Sequence, residues 1–211
     1  MKKLLIALMF VCSSAIASEC PTLYPDAKPI EVKNTVELCN SFFVSVYDKE
    51  HERVILVSEH LIHGKIGSAK RLNQFHPDDR IGKQPSPTQY VNTGFDKGHM
   101  APAGDASTVK EMFETFVMTN MTPQKPTLNR IEWKKLEEQT RKLFSKSQSD
   151  MYIITIAVYN SNESMNGIPV PSAYWKIVTV DEHTQYFYAE NKDHAIVVQK
   201  DVTPISSLLP Q

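Results

Sequence analysis

Short β-branched and aromatic runs, each closed off by charged or turn-forming residues, alternate with two stretches of helical periodicity. Phe42 to Tyr47 and Val54 to Val57 flank the charged segment 48–53 and predict a β-hairpin. Met151 to Tyr159, Tyr174 to Val180, Tyr186 to Ala189 and Ala195 to Val198 predict four further strands. Thr108 to Phe116 reads as a short helix. Asn129 to Ser145 reads as a longer one, with Ile131, Leu136, Leu143 and Phe144 at helical spacings, Trp133 in the same apolar set, and Thr127 or Asn129 as cap. Residues 63–94 lack periodicity and are rich in Gly, Pro, Asn, Asp and Lys, which predicts a long irregular segment of the kind that often carries function. The pattern is α+β, a mostly antiparallel central sheet with helices packed on it, and not an alternating βαβ series.

Lys2 and Lys3 precede an apolar run from Leu4 to Val11, and Ala15-Ile16-Ala17 is a small-x-small site, so residues 1–18 read as a secretory signal peptide cleaved near 17/18. Residues 19–211 then form a single domain, expected in the periplasm or secreted, with no stable membrane association after cleavage. Without Lys2 and Lys3, the 23 basic residues become 21 against 24 acidic ones, a net charge of −3. A globally cationic nucleic-acid coat is excluded, and any polyanion must be held by a local basic groove or a metal ion. Cleavage also removes Cys12. Cys20 and Cys39 remain as an even pair in an exported chain, which predicts one disulfide.

Three segments carry candidate chemistry: Asp96-Lys97-Gly98-His99, Asn120-Met121-Thr122-Pro123-Gln124, and Leu128-Asn129 followed by Trp133 and Leu136-Glu137. In this order and spacing they resemble the DNA/RNA non-specific endonuclease family, whose site is a ββα-metal (His-Me) finger. Arg71 to Phe75 with Asp78 and Arg80 resembles that family's upstream basic segment. Lys97 stands where the family usually has arginine, keeping the charge but losing the planar fork, and Ala157 stands where a later strand commonly has glycine.

The resemblance implies a Mg²⁺-dependent hydrolase of DNA and RNA phosphodiesters, with Mn²⁺ an open alternative. His99 is implied as general base, a role that suits an imidazole largely neutral at pH 7. Asn129 is implied as the direct metal ligand, with Glu137 and Asp96 reaching the ion through water. Arg71 is implied to grip the phosphate in the transition state, Lys97 and Arg80 to hold the backbone, and Asn120 to fix the geometry around His99. Two other classes fit the same residues: a catalytically weak nucleic-acid binding or uptake protein on this fold, and a phosphodiesterase or phospholipase acting on another phosphate ester. Glu59, His60 and His63 lie close together in the sequence, but no cysteine or further histidine completes a tetrahedral site, and they read as ordinary surface or core residues.

Overall fold

The structure, a computed structural model, describes residues 18–65 and 67–210. The expected signal peptide, apart from Ser18, lies outside the described residues. In chain order the elements are β1 (Thr35–Cys39), β2 (Phe43–Asp48), β3 (Arg53–Leu61), β4 (Asp96–His99), α1 (Val109–Thr115), β5 (Met121–Gln124), α2 (Lys134–Phe144), β6 (Met151–Val158), β7 (Ser164–Met165), β8 (Ile168–Pro169), β9 (Ala173–Val180), β10 (His183–Glu190) and β11 (Val198–Lys200). Seven strands form one antiparallel sheet in the order β1-β2-β3-β6-β9-β10-β11, and β4 pairs with β5 in a separate two-stranded ribbon. The predicted α+β class and antiparallel sheet are the observed ones.

Strand alternation sorts the sheet into two faces. Val57, Leu61, Ile153, Ala157, Tyr174 and Val178 turn to the face covered by the ribbon and the helices, where Phe116, Leu128, Trp133, Leu136 and Phe144 pack on them. Leu56, Ile154, Ile156 and Ile177 turn the other way, against Ile30, Val32 and the C-terminal residues Ile205, Leu208 and Leu209. The predicted hairpin is β2–β3, although β3 runs on to Leu61. The last predicted strand is displaced: Ala195 is buried, Ile196 is exposed, and the pairing with β10 begins only at Val198. Helix α1 carries a reciprocal capping box, Thr108 Oγ1 accepting from the Glu111 N–H at 3.1 Å and the Glu111 carboxylate accepting from the Thr108 N–H at 3.1 Å.

The longer predicted helix departs from its pattern at the start. Leu128–Trp133 is a π-helical stretch that runs into α2. The two buried residues of this wide turn, Leu128 and Trp133, are five apart, whereas ordinary α-helical phase holds from Trp133 through Leu136, Thr140 and Phe144. Ile131, expected in the apolar stripe, is exposed as a result; Leu143, at the far end of α2, is also exposed. Thr127 does not cap the helix; its hydroxyl donates to Asp193 at 3.1 Å.

Two ties hold the irregular N-terminal parts to the sheet. Cys20 and Cys39 form the expected disulfide, with their Cα atoms 6.0 Å apart, and a loop of this size is worth about 3 kcal/mol. Asp78 is the second tie. Its carboxylate accepts from Arg80 Nε at 2.7 Å and Nη2 at 2.6 Å and from Thr119 Oγ1 at 2.7 Å, while Arg80 Nη1 donates to the Cys39 carbonyl at 2.5 Å. Burial pushes the Asp78 carboxyl up, but the Arg80 fork and Thr119 outweigh it and hold the group below the ordinary carboxylate value.

A depressed folded-state pKa gives stability that is full above the unfolded value of about 4 and is lost as pH falls through the folded value. Asp78→Ala is therefore expected to lower unfolding free energy at pH 7 by about 2–3 kcal/mol, at the low end for a broken buried pair because Arg80 is partly exposed. The difference from wild type should shrink in urea titrations below pH 4.

Candidate active site

His99 ends β4, and its backbone neighbours are fixed by Asn120. The Asn120 side chain is fully buried; Oδ1 accepts from the Ala101 N–H at 2.8 Å, and Nδ2 donates to the carbonyls of Ala101 and Thr115, both at 2.9 Å. The Met100 N–H donates to the Asn120 carbonyl at 3.0 Å. Asn120 thus clamps the chain just past His99. On the ribbon, Gly98 lies against Gln124 so closely that a Cβ there would sit 2.4 Å from Gln124 Oε1, which explains the glycine in the motif.

The imidazole of His99 stands edge-on to Phe116, with centroids 4.9 Å apart, and beside Phe75 at 5.7 Å. Nε2 is buried without a hydrogen-bond partner, so Nδ1 is the nitrogen available to the site. Burial, and secondarily the Arg71 guanidinium, push the His99 pKa down to about 3, so the ring is neutral at pH 7. Arg71 lies over the same Phe116 ring, its Cζ 5.2 Å from the centroid, with Nε donating to Asn73 Oδ1 at 2.6 Å. One phenyl ring therefore brings together a neutral imidazole and the guanidinium of an exposed arginine.

The ribbon and the π-helical turn meet at Asp96. Asn129 Nδ2 donates to Asp96 Oδ2 at 2.9 Å, and Arg130 grips the same carboxylate through Nε at 2.8 Å and Nη2 at 2.6 Å. The amide nitrogen of Asn129 is thereby occupied, and its carbonyl oxygen is left as a hard donor. Burial raises the Asp96 carboxyl, but Arg130 and Asn129 overcome this and hold it below its usual value. Glu137 is half-buried on α2, with its pKa pushed up to about 7, chiefly by burial and further by Asp105, against the pull of Lys176, Arg141 and Arg71. Among the described residues no cluster of three or more His, Cys, Asp or Glu could enclose an ion. One amide oxygen with a nearby carboxylate fits a hydrated hard cation and not a closed protein cage.

The other expected residues have different surroundings. Lys97 is lodged over aromatic rings, its Nζ 4.8 Å from the Phe75 centroid and 5.4 Å from that of Tyr90. Arg80, expected on the substrate backbone, spends Nε, Nη1 and Nη2 on Asp78, Cys39 and Asn40, so its fork is not open to a phosphate. Asp96, expected near a metal-bound water, instead has both carboxylate oxygens engaged by Asn129 and Arg130. Arg130 was not singled out from the sequence, and its only signal was adjacency to Asn129. Arg141 was missed too: it follows Glu137 by one turn and pairs with buried Asp105 at 2.8 Å. A Cβ on Gly104 would sit 2.8 Å from Arg141 Nη1, so the loop before Asp105 closes directly on that guanidinium.

A two-stranded ribbon ending in histidine, crossed by a helix that offers an amide oxygen and a carboxylate, is the arrangement of a ββα-metal finger. The sequence profile described as DNA/RNA non-specific endonuclease matches residues 21–208, and the chain belongs to that family. A nuclease of Nostoc sp. is 36% identical over 120 residues, covering 54% of this chain and 43% of that protein. A nuclease of Serratia marcescens is 34% identical over 130 residues, covering 56% and 47%. The chain thus matches about half the length of these relatives or less. A solved structure of an EndoG/EndoGI complex, described as showing the mechanism of EndoG inhibition, superposes with a TM-score of 0.67 at 26% identity, covering 83% of this chain and 80% of that one.

If Asn120 is the clamp behind His99, Asn120→Ala strands the Ala101 N–H and two carbonyls in the interior. Each such group costs about 1–3 kcal/mol, so a fall of several degrees or more in thermal midpoint is expected in calorimetry.

Proposed function

We propose that this protein is an exported, divalent-cation-dependent endonuclease that hydrolyses phosphodiester bonds of DNA and RNA with little base or sugar specificity. The observation behind this reading is that strand β4 carries both His99, which shares the Phe116 ring with Arg71, and Asp96, which binds the amide nitrogen of Asn129 and leaves its oxygen as the donor. Family membership and the named nuclease relatives support it.

His99 takes the proton of an attacking water through Nδ1. Its lowered pKa, due first to burial and second to Arg71, keeps it unprotonated and able to accept; a phosphate beside Arg71 offsets only the second of these causes. Arg71 donates to the phosphate oxygens as their charge grows. Lys97 adds a point charge, held on its rings, with less control of orientation than an arginine fork. Asn129 Oδ1 would hold the cation directly and Glu137 through water, with Asp96 keeping the Asn129 amide oriented. When bound, the ion, Mg²⁺ or in its place Mn²⁺, supplies Lewis acidity at the phosphate and charge opposite the leaving 3′ oxygen. These contacts engage phosphate and not base edges, which is the physical basis for weak sequence preference. Export to a periplasmic or extracellular compartment is supported by the leader pattern and by the Cys20–Cys39 disulfide.

Supercoiled plasmid and total RNA incubated with the oxidised chain from Glu19 should both be cut in Mg²⁺ and left intact in EDTA. His99→Ala should lower the rate by about 10²–10⁴-fold without loss of folding. Folded wild type that cuts neither polymer, or a His99→Ala variant that cuts at the wild-type rate, would overturn the proposal.

A further inference from the structure

After β5 ends at Gln124, the chain leaves the ribbon and enters the π-helical stretch that carries Asn129, turning within residues 125–128. A loop of the central sheet holds this turn from behind. Asn191 directly follows β10, and its N–H donates to the Ser172 carbonyl at 2.8 Å, which anchors it beside the start of β9. Its buried side chain uses both amide protons and the oxygen. Oδ1 accepts from the Lys125 N–H at 2.9 Å, and Nδ2 donates to the carbonyls of Pro123 at 2.9 Å and Pro171 at 2.8 Å. One amide thus grips the backbone on both sides of Gln124. The Pro123 carbonyl accepts a second proton, from the hydroxyl of buried Tyr174 at 3.1 Å.

Lys125 passes this hold on to Asn129. Its N–H is bound by Asn191, and its carbonyl accepts from the Asn129 N–H at 2.9 Å. A second tie comes from the same loop, where Thr127 Oγ1 donates to Asp193 at 3.1 Å and accepts from the His194 N–H at 3.0 Å. His194 has a φ of +57°, in the left-handed region that a side chain disfavours, so the loop carries backbone strain where it meets the helix start. Asp96 orients the side chain of Asn129, but it leaves open where the backbone bearing that side chain stands. A hard cation that keeps most of its water and demands near-ideal octahedral geometry is sensitive to the placement of its few protein oxygens. Asn120 fixes the backbone beyond His99 with one buried amide, and Asn191 does the same before Asn129.

We propose that Asn191 is a positioning residue for the cation site: through Lys125, with the Thr127 contacts as a second tie, it sets the backbone from which Asn129 presents its carbonyl oxygen. This role rests on the reading of Asn129 as the direct ligand, so Asn129→Ala is measured beside the other variants. Amide hydrogen exchange of the metal-free protein reads the mechanical part. In Asn191→Ala, exchange across residues 125–133 should be faster by about fivefold or more, the scale of one lost hydrogen bond, while β3 and α1 keep their wild-type rates. Equal acceleration in all of these segments would mean a general loss of stability and would overturn the proposal.

Calorimetric Mn²⁺ titration without substrate reads the consequence for the site. Asn191→Ala should weaken binding by about tenfold, the lower end for lost outer-shell support. Its kcat at saturating Mg²⁺ should return to within about threefold of wild type, because cation binding and not the chemical step was impaired. Thr127→Val, equal in size but without the hydroxyl, should weaken Mn²⁺ binding in the same direction, and Thr127→Ser, which keeps the hydroxyl, should restore it. This pair decides the matter if Asn191→Ala does not fold. Wild-type affinity in folded Asn191→Ala, or in Thr127→Val where that variant stands in for it, would overturn the positioning role if Asn129→Ala binds poorly. Unchanged affinity in folded Asn129→Ala would instead overturn the ligand assignment, and this role with it.

Discussion

The carboxylate of Asp96 joins the two-stranded ribbon to the start of the helix that crosses it. It sits on the ribbon that ends in His99, and it binds the amide of Asn129 and the guanidinium of Arg130 on the crossing helix. A carboxylate that accepts charge-assisted hydrogen bonds from two adjacent helical residues fixes both the position and the rotation of that helix start. Because Asn129 Nδ2 is committed, its carbonyl oxygen has one direction left. The base on the ribbon and the oxygen ligand on the helix are thus oriented by the same ion pair, although they are thirty residues apart in the chain.

Everything beneath that junction keeps it rigid. Asn120 ties the chain just beyond His99 to the end of α1. Phe116, which follows α1, presents its ring to both His99 and Arg71. The loop carrying Gly67 passes so close to Gly104 that a Cβ at Gly67 would sit 1.8 Å from the Gly104 carbonyl oxygen, and Gly104 in turn lies against Arg141. The segment leading to Arg71 is therefore packed on the same platform as the helix that carries Glu137. Such a site needs little overall positive charge. The chain is slightly acidic as a whole, and its cations are placed one by one on aromatic rings or carboxylates near the proposed chemistry.

Much of this was legible in the sequence, and the exceptions share a cause. The long strands and α1 carry local signals, β-branched and aromatic runs and a capping box, that tertiary packing did not override. The ribbon was not legible as strands, because Asp96-Lys97-Gly98-His99 and Met121-Thr122-Pro123-Gln124 have no alternating apolar face and are held by their surroundings. Ile131 was misplaced because a π-helical turn shifts the helical phase by a residue, and composition does not announce that. Arg80 and Arg71 are the same residue type in the same irregular segment, yet one is spent on Asp78 and the other is open to solvent; only the fold distinguishes them.

Whether Asp96 holds Asn129 in a metal-binding orientation is read by calorimetric titration of Mn²⁺ into wild type and Asp96→Ala, with folding checked by near-ultraviolet circular dichroism. Loss of an outer-shell partner of this kind weakens metal binding by about 10–100-fold, and that is the predicted result in a folded variant. Wild-type affinity in folded Asp96→Ala would mean that Asn129 finds its orientation without the carboxylate that binds it here, and would rule out that role for Asp96.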